Sequence, residues 1–194
     1  MPLPTTPTRG SSGRGQSDGL YDEGFRKDRS KGYTCNAERS LVGARRALLD
    51  IDAAVVALKR RPDVNAEPIL LAGNSRGGVM AAAYAGSHPD QTKGVINFVG
   101  GWIADGCETA DTINQSLFQQ AAGYDKPTLW LYGADDPFYA IKHSRQNFGV
   151  FEGAGGKGTF TEVTVSGENN GHWVMAIPPL WSEAVAAYLE TLGK

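Results

Sequence analysis

Apolar and polar positions along this chain fall into two alternating periods. From residue 37 to 61, Leu41, Ala44, Leu48, Ile51, Val55 and Leu58 recur at steps of three and four, which predicts a helix with one apolar stripe. Pro62 ends it, and Lys59, Arg60 and Arg61 suit the negative end of its dipole. Near-continuous apolar runs follow at residues 68–73, 94–99 and 128–133. Such runs predict parallel strands covered on both faces. Residues 160–165 mix polar and apolar positions and read as a strand nearer the sheet edge. Helical periodicity occupies 77–87, 114–123, 139–151 and 181–192. This rhythm predicts an α/β fold: three α/β/α layers around a mainly parallel sheet. The stretch 103–122 reads equally as a crossover helix or as an insertion over the crevice. Residues 1–36, dense in Gly, Ser and Pro, read as an irregular segment ahead of a single domain over 37–194.

Composition narrows the function. A length of 194 residues suits one domain, and 41% apolar side chains are enough for a core. Nineteen Lys and Arg against 21 Asp and Glu give a net charge of −2, with no overall field for a polyanion, so nucleic-acid binding is not expected. No apolar run approaches the ~20 residues of a membrane-spanning helix. No secretory signal core is visible near Met1, so a soluble, cytoplasmic protein is the default expectation. The two cysteines, Cys35 and Cys107, exclude a disulfide scaffold and a four-Cys zinc site, and leave their own pairing open. No metal or other cofactor is expected, because no His, Asp and Glu cluster has ligand spacing.

The chemistry concentrates at strand ends. The first strand runs through Gly73-Asn74-Ser75-Arg76-Gly77-Gly78 into an Ala-rich helix. This is G-x-S-x-G between strand and helix, the setting of a nucleophile held on a strained turn. Gly73 and Gly77 stand two residues either side of Ser75, where a Cβ would obstruct such a turn, and Gly78 lets the helix approach the sheet. The backbone N–H of Arg76, at the helix N-terminus, is placed to donate to an oxyanion.

A serine nucleophile needs a base and a carboxylate to orient it, in the chain order Ser, acid, His. The third strand ends in Gly133-Ala134-Asp135-Asp136-Pro137, and Asp136 is favoured as the acid over Asp135 because Pro137 stiffens the turn behind it. Among the three histidines, His88 sits at a helix end, and His143 within a helix reads as surface or packing. His172, in a loop after the last strand, has the order and place of the base. Tyr21, Trp102, Phe138 and Trp173 are candidates for an apolar acyl pocket.

These residues resemble an α/β-hydrolase of the dienelactone-hydrolase-like and prolyl-oligopeptidase-like branch. The resemblance rests on the Ser75 motif, on Phe98-Val99-Gly100-Gly101-Trp102, on Leu129-Trp130-Leu131-Tyr132-Gly133 with Asp136, and on Gly171-His172. The segment from Arg9 to Gly19 resembles the R-G-x-G-x-S loop of such enzymes. It implies a catalytic domain with a Ser75-Asp136-His172 triad that hydrolyses small-molecule esters or lactones, with a peptidase as the nearest alternative. Typical dienelactone hydrolases carry Cys as nucleophile, and Ser here points to carboxylesterase chemistry. The family's second oxyanion donor precedes the nucleophile strand, and no H-G-G-like segment stands upstream. The resemblance therefore implies a partial fold, the C-terminal portion of a hydrolase or a naturally shortened member, with reduced activity or a binding or scaffold role as the alternative. It also implies an unpaired edge beside the first strand, and hence a homo-oligomer.

Overall fold

The computed structural model describes residues 32–65 and 68–193. The Arg9 to Gly19 segment and Tyr21 lie outside the described residues. Helix α1, Ala37–Lys59, opens with Asn36, whose side chain accepts from the Arg39 N–H at 3.0 Å. It ends at Lys59, two residues short of the predicted end at Arg61, with Arg60 as its C-cap.

Four parallel strands follow: β1 (Ile69–Asn74), β2 (Thr92–Phe98), β3 (Thr128–Gly133) and β4 (Gly158–Val163), in the spatial order β1-β2-β3-β4. Between them run α2 (Arg76–Ser87), α3 (Ala110–Ala121) and α4 (Ile141–Gly153). A parallel sheet that grows strand by strand in one direction places its right-handed crossovers on one face. Accordingly α3 packs between α2 and α4, with α1 outside α2 and α3. Helix α5, Ser182–Leu192, returns to the other face of β2. The 103–122 stretch is therefore a crossover, and Ile113, Leu117 and Phe118 of α3 are core residues.

Strand β3 is buried at all six positions, as its apolar run implies. Trp130 is fully buried and packs on Phe118, Phe148 and Phe151. Truncating such a side chain to Ala costs about 3–5 kcal/mol. Strand β4 is half-buried, as its mixed pattern predicts. Strand β1 departs from expectation. On the α5 side of the sheet Leu70 is 39% exposed, because α5 lies over β2 and leaves that face of β1 open. Among the described residues β1 also pairs on one side only.

The sheet opens slightly at its lower end, where β2 and β3 pair only from Ile96 and Leu129 onward. The Tyr188 phenol of α5 fills the gap. It accepts from the Val95 N–H at 2.9 Å and donates to the Pro127 carbonyl at 2.8 Å.

At the upper end the strands run on into turns that remain stitched together. Ser75 N–H donates to Phe98, Val99 N–H to Leu131 and Ala134 N–H to Val163, each at 2.9 Å. Cys35, just ahead of α1, and Cys107, ahead of α3, are joined as a disulfide, with Cα atoms 5.5 Å apart.

The glycine requirement at the elbow differs from the expectation in one respect. A Cβ on Gly73 would strike the Gly77 carbonyl, as predicted, but a Cβ on Gly77 meets nothing within 4 Å. The second demanding position is Gly78, where a Cβ would strike the Asn97 side chain and come within 3.0 Å of Gly100 Cα. Gly78→Ala should therefore destabilise the protein by about 1–3 kcal/mol through overpacking. Gly77→Ala should be neutral or slightly stabilising, as for a helical Gly with free space. Urea melts of the two variants check this, and a Gly77 variant less stable than the Gly78 variant refutes it.

Candidate active site

Three strand ends converge on one crevice. Ser75, between β1 and α2, adopts φ 56°, ψ −121°, a left-handed conformation that costs a non-glycine residue of order 1–3 kcal/mol. The turn is held by surrounding bonds: the Ser75 carbonyl accepts from Gly78 at 2.9 Å and from Gly101 at 3.2 Å. Val99 is also left-handed, at φ 43°, and fully buried. Two strained non-glycine residues thus stand at neighbouring strand ends. The Arg76 N–H is the first of α2, one of the amides that a helix leaves without an internal partner.

Asp136 lies past the end of β3, its carboxylate fully buried. One oxygen accepts from the Phe138 N–H at 2.8 Å and the Tyr139 N–H at 3.2 Å, so the turn after Pro137 is organised by the acid itself. The other oxygen meets His172 Nδ1 at 2.8 Å. An ionised carboxylate only accepts, so Nδ1 carries the proton and Nε2 is left as an acceptor. Asp135, the alternative acid, is exposed.

His172 sits in a short 3-10 turn, Gly171–Ala176, capped by Asn170, whose side chain accepts from the His172 N–H at 3.0 Å. The turn can approach β3 because two glycines face each other. A Cβ on Gly133 would strike Gly171, and one on Gly171 would come within 2.7 Å of the Asp136 nitrogen.

Asp136 and His172 are therefore directly bonded. Among the described residues Ser75 reaches them through Tyr139, not through a direct bond to His172. Ser75 Oγ lies 3.4 Å from the Tyr139 hydroxyl, at the long end for a hydrogen bond. Tyr139 touches every member of the group. Its N–H serves Asp136, its ring centroid lies 5.7 Å from that of His172, and its hydroxyl donates to the Gly101 carbonyl at 2.7 Å. Sequence reasoning missed it. Nothing in an aromatic residue three positions after an acid distinguishes packing from a site contact.

The pocket candidates separate. Trp102 is only 3% exposed: its indole N–H donates to the Gly32 carbonyl at 3.2 Å and its ring stacks on Tyr33 at 4.7 Å. The Arg76 guanidinium also lies over the Tyr33 ring, 3.9 Å from its centroid. Trp102 is thus a strut that fixes the segment before α1 beside the elbow. Phe138 and Trp173 are about half exposed.

Of the other histidines, His143 is buried rather than on the surface. Its Nε2 meets the Asn114 amide and its Nδ1 meets Asp111, each at 3.0 Å. The same Asn114 accepts from the Trp102 and Ile103 N–H groups at 2.8 and 3.2 Å, clamping the loop after β2. His88 is a helix-end residue, stacked on Tyr84 with Nδ1 at the Tyr84 carbonyl. Among the described residues no group of His, Cys, Asp and Glu is arranged to hold a metal, and no helix is long and apolar enough to cross a membrane.

Residues 20–152, more than half of the chain, match the dienelactone hydrolase family. The chain belongs to that family. The solved structures similar to this dienelactone-hydrolase relative share its α/β fold at low identity. Arabidopsis thaliana SOBER1 is 16% identical with a TM-score of 0.52, covering 84% of this chain and 70% of SOBER1. A variant of SOBER1 is 17% identical with the same score, and 67% of that chain is covered. A thermostable esterase is 20% identical with a TM-score of 0.52, over 75% of this chain and 36% of the esterase. The chain thus spans about two thirds of SOBER1 and little more than a third of the esterase. No curated protein sequence matches it.

Burial sets one pH dependence. It pushes the phenols of Tyr132 and Tyr139 up, and that of Tyr84, aided by the neighbouring Asp52, to about 12. Unfolded tyrosines ionise near pH ~10 while these stay neutral in the folded chain. The stability they carry is complete below that pH and is lost as pH rises toward the folded values. Urea midpoints should be level up to about pH 9 and fall by about pH 11. Full ionisation of all tyrosines near pH ~10 in a folded sample, read by ultraviolet titration, would contradict it.

Proposed function

We propose that this dienelactone-hydrolase-family chain is a serine hydrolase that cleaves carboxylic esters or lactones through an acyl-enzyme. Ser75 is the nucleophile, His172 the base, Asp136 the orienting acid, and the Arg76 N–H an oxyanion donor. The observation that carries this reading is the 2.8 Å bond between buried Asp136 and His172 Nδ1, with Ser75 on a left-handed elbow beside them. In the first step Ser75 Oγ bonds to the acyl carbon as His172 takes its proton. The carbon–oxygen bond to the leaving group breaks, and that oxygen takes the proton from His172. Water then adds to the acyl carbon, His172 again moving the proton, and the Oγ–carbon bond breaks to release the acid. Ser75 Oγ, 3.4 Å from the Tyr139 hydroxyl, suits a resting state in which the serine–imidazole bond forms once substrate is bound.

A small fluorophosphonate should label Ser75, and Ser75→Ala should abolish both labelling and hydrolysis of p-nitrophenyl acetate. Asp136→Asn should lower turnover by about 10³- to 10⁴-fold, because the imidazole then loses its enforced tautomer. Asp135→Asn should change it little. A folded chain that takes no label and turns over no ester would establish the binding or scaffold reading instead.

We also propose self-association: among the described residues the edge of β1 is unpaired and Leu70 on its face is exposed, and an unpaired apolar edge is a template for another strand. Light scattering at micromolar concentration should show an assembly larger than one chain, and a clean monomer refutes it.

A further inference from the structure

The proposed chemistry fixes where a leaving group must lie. His172 gives its proton to the leaving oxygen, so whatever that oxygen carries is released beside the imidazole. The Nδ1 edge of His172 is closed by Asp136, whose side chain is fully buried. The open side chain in contact with the ring is Phe138, which meets it edge-to-face with centroids 4.7 Å apart and is 49% exposed. Phe138 is held there at both ends of its peptide. Its N–H donates to Asp136 at 2.8 Å and its carbonyl accepts from the Asp105 N–H at 3.0 Å. Trp173 follows His172 in the same capped turn and is 55% exposed. The loops of the acid and the base thus each carry one large aromatic group in contact with water. Trp102, the third pocket candidate among the described residues, is buried and offers no such surface.

We infer that Phe138 and Trp173 form a leaving-group subsite selecting esters of apolar, above all aromatic, alcohols. This rests on the serine-hydrolase reading and assigns the two aromatics to the alcohol side rather than to the acyl side. An aromatic alcohol beside His172 stacks or meets edge-to-face with Phe138, and it displaces water from apolar surface that the free enzyme leaves wet. An aliphatic alcohol of equal acidity gains only the second effect. The bonds made and broken are those of the acyl-enzyme route, and the subsite acts on the step in which the alcohol departs.

The test holds the acyl group constant as acetate and varies the alcohol. Phenyl and 2-naphthyl acetates are compared with fluoroalkyl acetates matched in leaving-group acidity, each rate normalised to its hydroxide-catalysed hydrolysis. The native chain should favour the aromatic esters by about 10-fold in kcat/KM, the scale of one good aromatic contact. Phe138→Leu, which keeps apolar volume but removes the ring, should shrink that ratio several-fold, and Phe138→Ala with Trp173→Ala should erase it. If the multiple variant does not fold, Phe138→Leu alone decides. Ser75-dependent hydrolysis without an aromatic preference, or a preference that survives Phe138→Leu, overturns the subsite and leaves the serine-hydrolase reading intact. Failure of Ser75 to label and of every ester to turn over overturns that reading, and the subsite with it.

Discussion

Backbone pressed against backbone is the constraint on which the crevice depends. At Gly73 the outgoing strand meets the carbonyl of Gly77 on the incoming helix, and at Gly133 the end of β3 meets Gly171 of the turn that carries His172. Neither contact has room for a Cβ. Each brings a polar side chain, Ser75 or His172, to the top of the sheet by moving main chain rather than by extending a longer side chain. Short side chains on tightly held backbone lose little freedom when they order, and they hold their geometry without a substrate to set it.

A second layer of bonds keeps these close contacts from relaxing. Asn97 donates to the Tyr132 hydroxyl at 3.1 Å, and Tyr132 donates to the Gly100 carbonyl at 2.8 Å. Asn114 holds Trp102 and Ile103 of the same loop. The loop after β2 is therefore fixed from both of its sides by buried side chains, which stabilises the left-handed Val99 that precedes it. The arrangement is not perfect. Among the described residues the Asn97 carbonyl oxygen is buried with no partner, and it fills the space that a Cβ on Gly78 or Gly100 would need. Leaving such a group unpaired costs about 1–3 kcal/mol, a stability cost borne at the place where the elbow is tightest.

Much of this was legible in the chain itself. Strand β3 has the bounds its apolar run predicts because every position is buried, so pattern and structure coincide. Ser75, Asp136 and His172 were singled out because each stands in the turn or loop that follows a predicted strand, and Asp136 and His172 are in hydrogen-bond contact. Helix α3 begins at Ala110, four residues before its predicted start, because Asp111 and Thr112 face solvent in its first turn and interrupt the apolar signal. Helix α4 begins at Ile141 rather than 139 because the Asp136 carboxylate takes the Phe138 and Tyr139 amides for its own turn. The exposed face of β1 could not be read, since an apolar run does not record which neighbours cover it. Nor could the union of Cys35 and Cys107, the burial of His143 or the contacts of Tyr139, all of which join segments distant in sequence.

The phenol of Tyr188 extends the sheet's hydrogen bonding into the last helix. Because one hydroxyl completes the ladder between Val95 and Pro127, α5 belongs to the sheet's register and is more than a cover upon it. The helix is tied in turn to the His172 turn through Trp181, whose indole donates to the Met175 carbonyl at 3.2 Å and whose ring meets Phe98 edge-on. The C-terminal segment is therefore anchored both to the central strands and to the turn that carries His172, and its opening would leave the Val95 and Pro127 backbone groups without the phenol that serves them, so the local stability of β2 is linked to that of α5.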